Sequence, residues 1–188
     1  MRDGVKSLYE NVLTESGLAD ACTCAWSRLP AAVRELHSHV ESVKYTGRGS
    51  VERGTSLLSQ MVGAMMRFPT ANSNTPVTVE FNIRDGKETW TRHFGSRQFQ
   101  STLSARGKYL RESFAFVSIL FMLETDANGL RMLPVRWAAL GIPLPKILWP
   151  GIVAYETEID GRFHFYVEAS MPLIGLVVRY RGELQRGF

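Results

Sequence analysis

The chain has 188 residues, of which 45% are hydrophobic and 21% charged, and its formal net charge is +4. These values are typical of a globular protein with a sizeable core and exclude a disordered or low-complexity chain. The basic residues are scattered among acidic ones without a basic stripe or a recognition motif, so we expect no nucleic-acid partner. Cys22 and Cys24 are separated by a single residue, which is too close for a metal or redox motif and indicates reduced thiols.

Neither a secretory signal nor a transmembrane segment is predicted. Met1–Lys6 leads into a mixed segment rather than an apolar signal region. The longest apolar run, Phe114–Leu123, has ten residues, whereas a membrane-spanning helix needs about 20. We interpret this run as a strand buried on both faces. With the reduced thiols, these features predict a soluble protein of the cytoplasm.

Two short helices are predicted near the N-terminus. Residues 4–14 place apolar side chains on one helical face, and Asp3 is a suitable N-cap. A second helix is predicted from about Pro30 to Leu36, because proline suits the first helical turn. We expect one domain over residues 1–188, in which a helical part (1–70) packs on a β-rich part (71–188).

A third helix is predicted after Gly54, with Thr55 or Ser56 as its N-cap and Pro69 shortly after its end. Its apolar side chains cover a wide arc, which predicts a central element rather than a surface one. Methionines in such a helix either fill a core or line an adaptable pocket. The apolar positions are Leu57, Leu58, Met61, Val62, Met65 and Met66.

Period-two alternation and turn signals predict the strands. Val40–Arg53 reads as a strand in which Gly47 and Gly49 mark a bulge, a bend or a close approach. Further antiparallel strands are predicted at 76–83, 88–94, 98–105, 108–114, through the apolar run to 124, at 130–137, on both sides of 160–161, and at 173–184.

So many consecutive antiparallel strands must twist and coil, and a few helices cannot cover a flat sheet of that size. We therefore predict an α+β fold with N-terminal helices. Its strongly curved antiparallel sheet of about eight to nine strands forms an incomplete barrel wrapped around the Met-rich third helix. The Pro-rich connection Leu140–Pro150 would form a rim or lid.

Several segments, in order along nearly the whole chain, resemble the bacterial domain-of-unknown-function family 4166. The resemblance implies a cytoplasmic bacterial protein, and it supplies no catalytic residues. Members occur alone or fused to nicotinamide-dependent dehydrogenase-like domains, which implies association with such a domain in relatives. The segments are Leu29–His37, Gly49–Gly54, Pro76–Phe81, Glu88–Gly95, Leu140–Pro145, Gly161–Val167 and Pro172–Leu184.

No known catalytic signature is present in the sequence. It contains no P-loop, no dinucleotide-binding glycine motif, no nucleophile elbow and no zinc-protease motif. His37 and His39 could place two imidazoles on one strand face, but no further His or Cys lies nearby in sequence. We expect no metal and no cofactor.

Two charged residues, Arg92 and Glu112, alternate with apolar residues on their strands. A two-residue turn at Asp85-Gly86 would pair Phe81 with Trp90 and point Arg92 toward the apolar face. A three-residue loop with a bulge would point Arg92 outward, and the sequence leaves this register open. If both side chains point inward, they form either a structural ion pair or an anion-binding arginine in a cavity.

The acidic residues beside Asp160-Gly161 are interpreted as solvent-exposed. A three-residue loop there would pair Thr157 with Phe163 and leave Glu156 and Glu158 on an ordinary solvated face.

Three functions are compatible with this sequence. The first is binding of a small apolar or amphipathic ligand in a cavity between sheet and helix. The second is a cofactor-independent enzyme, of isomerase or cyclase type, acting on a small apolar substrate through a buried Glu or Arg. The third is a structural or interaction domain with an exposed patch near Trp149. Candidate cavity-lining residues are Met61, Met65, Trp90, Arg92, Glu112, Phe116, Trp137, Tyr155 and Phe165.

Overall fold

The computed structural model describes residues 6–15 and 25–187, so the predicted N-cap Asp3 and both cysteines lie outside the described residues. The three predicted helices are confirmed with adjusted bounds. Ser56 is the N-cap of the third helix, and its side chain accepts a hydrogen bond from the Ser59 amide. These three helices are α1 (Leu8–Glu15), α2 (Ala31–His37) and α3 (Leu57–Met65), and a short 3-10 helix lies at Lys146–Leu148.

Within the described residues, eleven strands form one antiparallel sheet. They are β1 (Val43–Arg53), β2 (Asn72–Arg84), β3 (Lys87–Phe94), β4 (Arg97–Arg106), β5 (Tyr109–Phe114), β6 (Val117–Asp126), β7 (Gly129–Ala139), β8 (Ile142–Pro143), β9 (Gly151–Ile159), β10 (Arg162–Met171) and β11 (Gly175–Arg186).

Ten of these strands close into a barrel. The strand order is β6-β5-β4-β3-β2-β1-β11-β10-β9-β7-β8, and β6 also pairs with β7, which joins the two ends. The prediction of an incomplete barrel of eight or nine strands is therefore wrong. Followed along the chain, consecutive strands pair with each other, β7 pairs with β9 through residues 129–132, and the first and last strands, β1 and β11, pair with each other and complete the ring. A closed barrel pairs both edges of the sheet, whereas an incomplete one leaves backbone groups unpaired.

The apolar run Phe114–Leu123 is also corrected. Ala115 has a φ of +49° and, with Phe116, forms the turn between β5 and β6. The run is therefore two strand ends joined by a hairpin turn, not one strand buried on both faces. In β6, side chains such as Ile119 and Phe121 point into the barrel, whereas Met122 is exposed.

Helix α3 is not the central element that its apolar arc predicts. It packs at one end of the barrel against β1 and β11. Its buried residues are the small Ser59 and Gly63, whereas Leu57 is 79% exposed and Met61 is 67% exposed. The barrel interior is instead lined mainly by side chains of the strands themselves.

Glycines allow β1 and β11 to approach closely, as predicted for β1. Gly49 lies opposite Gly182, and the register shifts between Gly49 and Val51. A Cβ atom on Gly182 would lie 2.4 Å from the Arg48 carbonyl oxygen and 2.9 Å from the Phe165 ring. Larger side chains at this crossing would therefore force the two strands apart.

Because all pairings are antiparallel, successive connections alternate between the two ends of the barrel. We call these the α2 end and the α3 end. The α2 end carries α1, α2 and the turns at 85–86, 107–108, 127–128 and 160–161. The α3 end carries the α3 segment 54–71, the turns at 95–96, 115–116 and 172–174, and the Pro-rich connection 140–150.

Candidate functional site

A cavity of about 330 Å³ lies inside the barrel. It extends from Leu36 on α2 to Met65 on α3. At the α2 end its lining is buried, as shown by Leu36 at 2% exposure. At the α3 end the lining residues Met65, Phe116 and Leu148 are 58%, 39% and 55% exposed, respectively. The cavity is therefore closed by α2 and opens toward α3.

Most of the residues that the sequence singled out border this cavity. Met61 does not, and its prediction is wrong because α3 turns that side chain toward solvent. Tyr155 borders the cavity, but the residue is 41% exposed and its ring stacks on Tyr166 with centroids 4.9 Å apart, so the side chain belongs to the outer face. The predicted residues at the cavity are Met65, Trp90, Arg92, Glu112, Phe116, Trp137 and Phe165.

The register at Asp85-Gly86 decides the position of Arg92. Arg84 pairs with Lys87, so the turn has two residues, and Phe81 lies opposite Trp90. This is the alternative that points Arg92 inward, and the structure confirms it.

Arg92 and Glu112 form an ion pair inside the barrel, across the intervening strand β4. Arg92 Nη2 lies 3.2 Å from Glu112 Oε1, and Arg92 Nη1 donates a hydrogen bond of 2.7 Å to Ser101 Oγ. The guanidinium also lies over the Trp90 ring, 4.7 Å from its centroid. The side chains are 12% and 16% exposed. This ion pair therefore places a compact polar group on a largely apolar wall.

A second polar site was missed by the sequence interpretation. Arg162 pairs with Ile159, so the Asp160-Gly161 turn has two residues, and Glu156 lies opposite Phe165 on the inner face. The prediction that Glu156 is solvent-exposed is wrong, since it is 7% exposed and borders the cavity. Glu158, whose side chain was also expected in solvent, instead accepts a hydrogen bond from the Ala32 amide at the start of α2.

Glu156 is hydrogen-bonded to His37, whose side chain is fully buried. Glu156 Oε2 lies 2.5 Å from His37 Nε2. The Tyr9 ring stacks on the imidazole with centroids 3.8 Å apart. His37 Nδ1 and the Tyr9 hydroxyl are both buried without a hydrogen-bond partner in the described part of the chain. A polar cluster therefore joins α1 and α2 to the cavity wall.

A third carboxylate, Glu88, lies in the same region. It is 4% exposed and accepts a 3.0 Å hydrogen bond from Trp90 Nε1. Burial raises the pKa of Glu88, and the hydrogen bond from Trp90 opposes that rise. Burial also raises the pKa of Tyr9, and the nearby Glu156 and Glu88 carboxylates raise it further. Ionisation of the Glu88 carboxyl and of the Tyr9 hydroxyl is thus less favourable in this cluster than in water.

The two histidines considered as metal ligands contact different groups. His37 bonds to Glu156, whereas His39 Nε2 lies 2.8 Å from the Tyr45 hydroxyl. Within residues 6–15 and 25–187, no group of three or more His, Cys, Asp or Glu side chains is arranged to hold a metal ion. Over the same residues, the helices are all too short or too polar to cross a membrane.

Comparison with known families decides the classification. Residues 29–184 match the model of a family described as a domain of unknown function, DUF4166. The chain belongs to the DUF4166 family. The matched residues of this DUF4166 protein include α2, the strands from β1 to β10, most of β11 and the polar residues of the cavity, whereas α1 precedes them.

One solved structure with a partly similar fold is a protein of unknown function from the DUF3598 family of Nostoc punctiforme PCC 73102. The identity is 13% and the TM-score 0.44, over 77% of this chain and 47% of that chain. The DUF4166 chain thus spans about half the length of that protein. No curated protein matches the chain.

Proposed function

We propose that this protein binds a small apolar or amphipathic ligand inside its barrel. The observation that carries the proposal is the cavity of about 330 Å³, enclosed at the α2 end and lined mainly by aromatic and aliphatic side chains. Ligand sites are typically concave, mostly apolar and about 300–1,000 Å³ in volume, with a few polar groups that orient the ligand.

The polar groups on the wall suggest where an amphipathic ligand would place its polar part. Arg92, Ser101 and Glu112 form one such group, and Glu156 forms another. Because Arg92 is already paired with Glu112, the first group suits a hydroxyl or carbonyl that shares these hydrogen bonds better than a free anion. The surrounding rings, including Trp90 and Phe99, would contact the apolar body.

Two variants on neighbouring residues of β9 test the proposal. Ala154 faces the cavity, whereas Val153 is 53% exposed on the outer face. We expect the neutral fluorophore N-phenylnaphthylamine to bind the wild type saturably with one site. Ala154→Phe should weaken that binding by about tenfold or more, because one buried aromatic side chain takes up a large part of the available volume. Val153→Phe is the matched control and should bind like the wild type.

Native mass spectrometry of the purified protein would in addition identify any ligand that co-purifies. Absence of saturable binding, or an equal loss in both variants, would contradict the proposal.

A second candidate function is acid–base catalysis on the bound molecule, and the Glu156–His37 pair favours it. Glu156 is a carboxylate on the cavity wall whose side-chain hydrogen bond is made to His37 and not to an arginine. With Glu156 ionised, His37 Nε2–H donates to Oε2 and holds the carboxylate in place. Such a carboxylate in an apolar cavity is suited to remove a proton from a substrate carbon, as in an isomerase.

Nitrobenzisoxazole provides a chemical probe for a base in an apolar cavity. The base removes the ring C–H proton, the N–O bond breaks with its electron pair on oxygen, and a coloured cyanophenolate forms. We expect saturable conversion that falls about tenfold or more in Glu156→Gln, since general base catalysis typically contributes a factor of at least 10². Glu80→Gln, on the outer wall, is the control. Equal rates in the wild type, Glu156→Gln and Glu80→Gln would contradict the catalytic function but not the binding function.

A further inference from the structure

The α3 end of the barrel carries an unusual concentration of exposed apolar side chains. Of the fifteen large apolar residues that are exposed in the described chain, ten lie on the connections at this end. They come from four separate segments, which the antiparallel topology brings together around the cavity opening. The most exposed are Leu57, Met61, Leu140, Ile142, Ile147 and Leu173, which range from 67% to 107% exposure.

The same connections contain no acidic residue. Segments 54–71, 95–96, 115–116, 140–150 and 172–174 hold no Asp or Glu, and all of them lie within the described residues. They do contain basic residues in exposed positions. Arg67 follows α3, and Lys146 directly precedes Ile147 at the tip of the Pro-rich connection.

Flanking residues add to the positive charge. Arg97 is exposed at the start of β4, and Arg53 is held by the carbonyls of Phe68 and Pro69. The acidic residues nearest to this end on the outer wall, Glu52 and Glu168, are both bonded to Arg179. The exposed apolar surface is thus surrounded by net positive charge.

We propose that the α3 end is a membrane-docking surface, which inserts its apolar side chains into the interface of an anionic lipid bilayer. An exposed apolar patch of this kind marks an interaction site. A lipid surface is the partner that fits both its apolar tips and its lack of acidic residues, because anionic lipids attract Lys and Arg and their acyl chains accept Leu, Ile and Met.

Docking through this surface would place the cavity opening against the bilayer. The exposed residues surround the cavity opening, so a docked barrel would face the bilayer with its open end and exchange an apolar ligand without passing it through water. This consequence rests on the proposed ligand-binding function. Docking itself does not, and the two are measured separately.

Vesicle flotation tests docking directly. The wild type should float with vesicles of phosphatidylcholine containing about one third phosphatidylglycerol, and less with pure phosphatidylcholine, since each Lys or Arg near an anionic surface contributes about fivefold in affinity. Added salt should weaken the binding to anionic vesicles through screening. The double variant Arg67→Asn with Lys146→Gln should lower that binding by about tenfold or more.

Apolar insertion is tested with the double variant Leu57→Glu and Ile147→Glu. Both side chains are about four-fifths exposed, at 79% and 81%, so the folded protein should keep its melting temperature. Binding to anionic vesicles should be lost. Ile159→Glu is the matched control, because Ile159 is 50% exposed but lies at the α2 end, and it should bind vesicles like the wild type.

Three outcomes would overturn the proposal. The first is that the wild type binds neither kind of vesicle, and the second is that the Ile159→Glu control loses binding as much as the double variant. The third is that vesicle binding is absent and the protein forms a dimer in solution that the Leu57→Glu and Ile147→Glu variant dissociates. The last outcome would assign this surface to a second copy of the chain. Ala154→Phe, which fills the cavity, should still bind vesicles, and the Leu57→Glu and Ile147→Glu variant should still bind N-phenylnaphthylamine. Failure of ligand binding and failure of docking are thereby distinguished.

Discussion

The two ends of the barrel differ in what they bury. At the α2 end, apolar and polar side chains of α1 and α2 are packed against the strands, and Tyr9, Val33 and His37 are almost completely buried. At the α3 end, a helix of similar length keeps most of its apolar side chains in solvent. Helix amphipathicity alone therefore does not locate a helix. What distinguishes the two is whether the helix covers the barrel opening or lies beside it.

This difference in burial indicates that the two ends of the barrel have different roles. Elements with many buried apolar contacts hold the fold together, whereas segments with few such contacts can move and are frequently the ones that bind. We expect the α2 end to determine stability and the α3 end to determine access to the cavity.

The largest expected effect is a loss of stability when a charge is placed in the buried core at the α2 end. Val33→Asp places an unpaired charge at a completely buried position on α2 and should cost roughly 4 kcal/mol or more in the free energy of unfolding. Met61→Asp, on α3, should change it by less than about 0.5 kcal/mol, because that side chain is mostly exposed. Urea unfolding of both variants measures the difference. Similar losses would show that α3 is as much a part of the core as α2.

A smaller effect is expected midway between the two ends, at Arg92 and Glu112. Removing either partner leaves a largely buried charge without its ion pair, so Arg92→Leu and Glu112→Leu should each cost about 3 kcal/mol. The double variant should recover much of that loss, which a double-mutant cycle would measure as strong coupling. Additive losses would mean that the two side chains are solvated independently by the cavity.

If Arg92 instead serves the ligand, a different pattern is expected. Arg92→Leu would then leave the stability of the free protein nearly unchanged and remove the rise in melting temperature that a bound ligand causes.

Much of the barrel was predictable from local patterns. Period-two alternation and the turn at Asp85-Gly86 indicate adjacent antiparallel strands, because hairpins are encoded by short-range signals. Arg92 and Glu112 were found by the same alternation. Barrel closure was not predictable in this way, since it depends on the first and last strands, β1 and β11, pairing with each other and on β7 pairing with β9 across the Pro-rich connection. Neither contact has a local signal.

The Glu156–His37 pair was missed for two reasons. The two residues are 119 positions apart, so no spacing motif joins them. The assumed three-residue loop at Asp160-Gly161 also reversed the face of Glu156, because a shift of one residue moves each side chain of a strand to the other face. An Asp-Gly pair favours the two-residue turn at both hairpins, and applying that preference at 160–161 as well would have pointed Glu156 inward.

The smallest expected effect is a change in how the melting temperature depends on pH, and it concerns Glu88 at the α2 end. Burial raises the pKa of this carboxyl in the folded protein above its value in the unfolded chain. The folded state therefore holds the proton more tightly, and the stability that Glu88 contributes is present below the unfolded pKa and is lost as the pH rises through the folded pKa. Glu88→Gln resembles the protonated side chain and keeps an oxygen that can accept the Trp90 Nε1–H bond.

We expect Glu88→Gln to melt above the wild type near pH 7, with a difference that shrinks toward about pH 4 as the wild-type carboxyl takes up its proton. Glu41→Gln, on the exposed segment before β1, is the matched control and should leave the profile of melting temperature against pH unchanged. A Glu88→Gln protein that melts below the wild type at pH 7 would contradict the expectation. It would mean that the charged carboxylate is stabilised in place by the neighbouring His37, whose charge opposes the effect of burial on the Glu88 pKa. Folding would then lower the pKa of the Glu88 carboxyl instead of raising it, opposite to the effect of its burial.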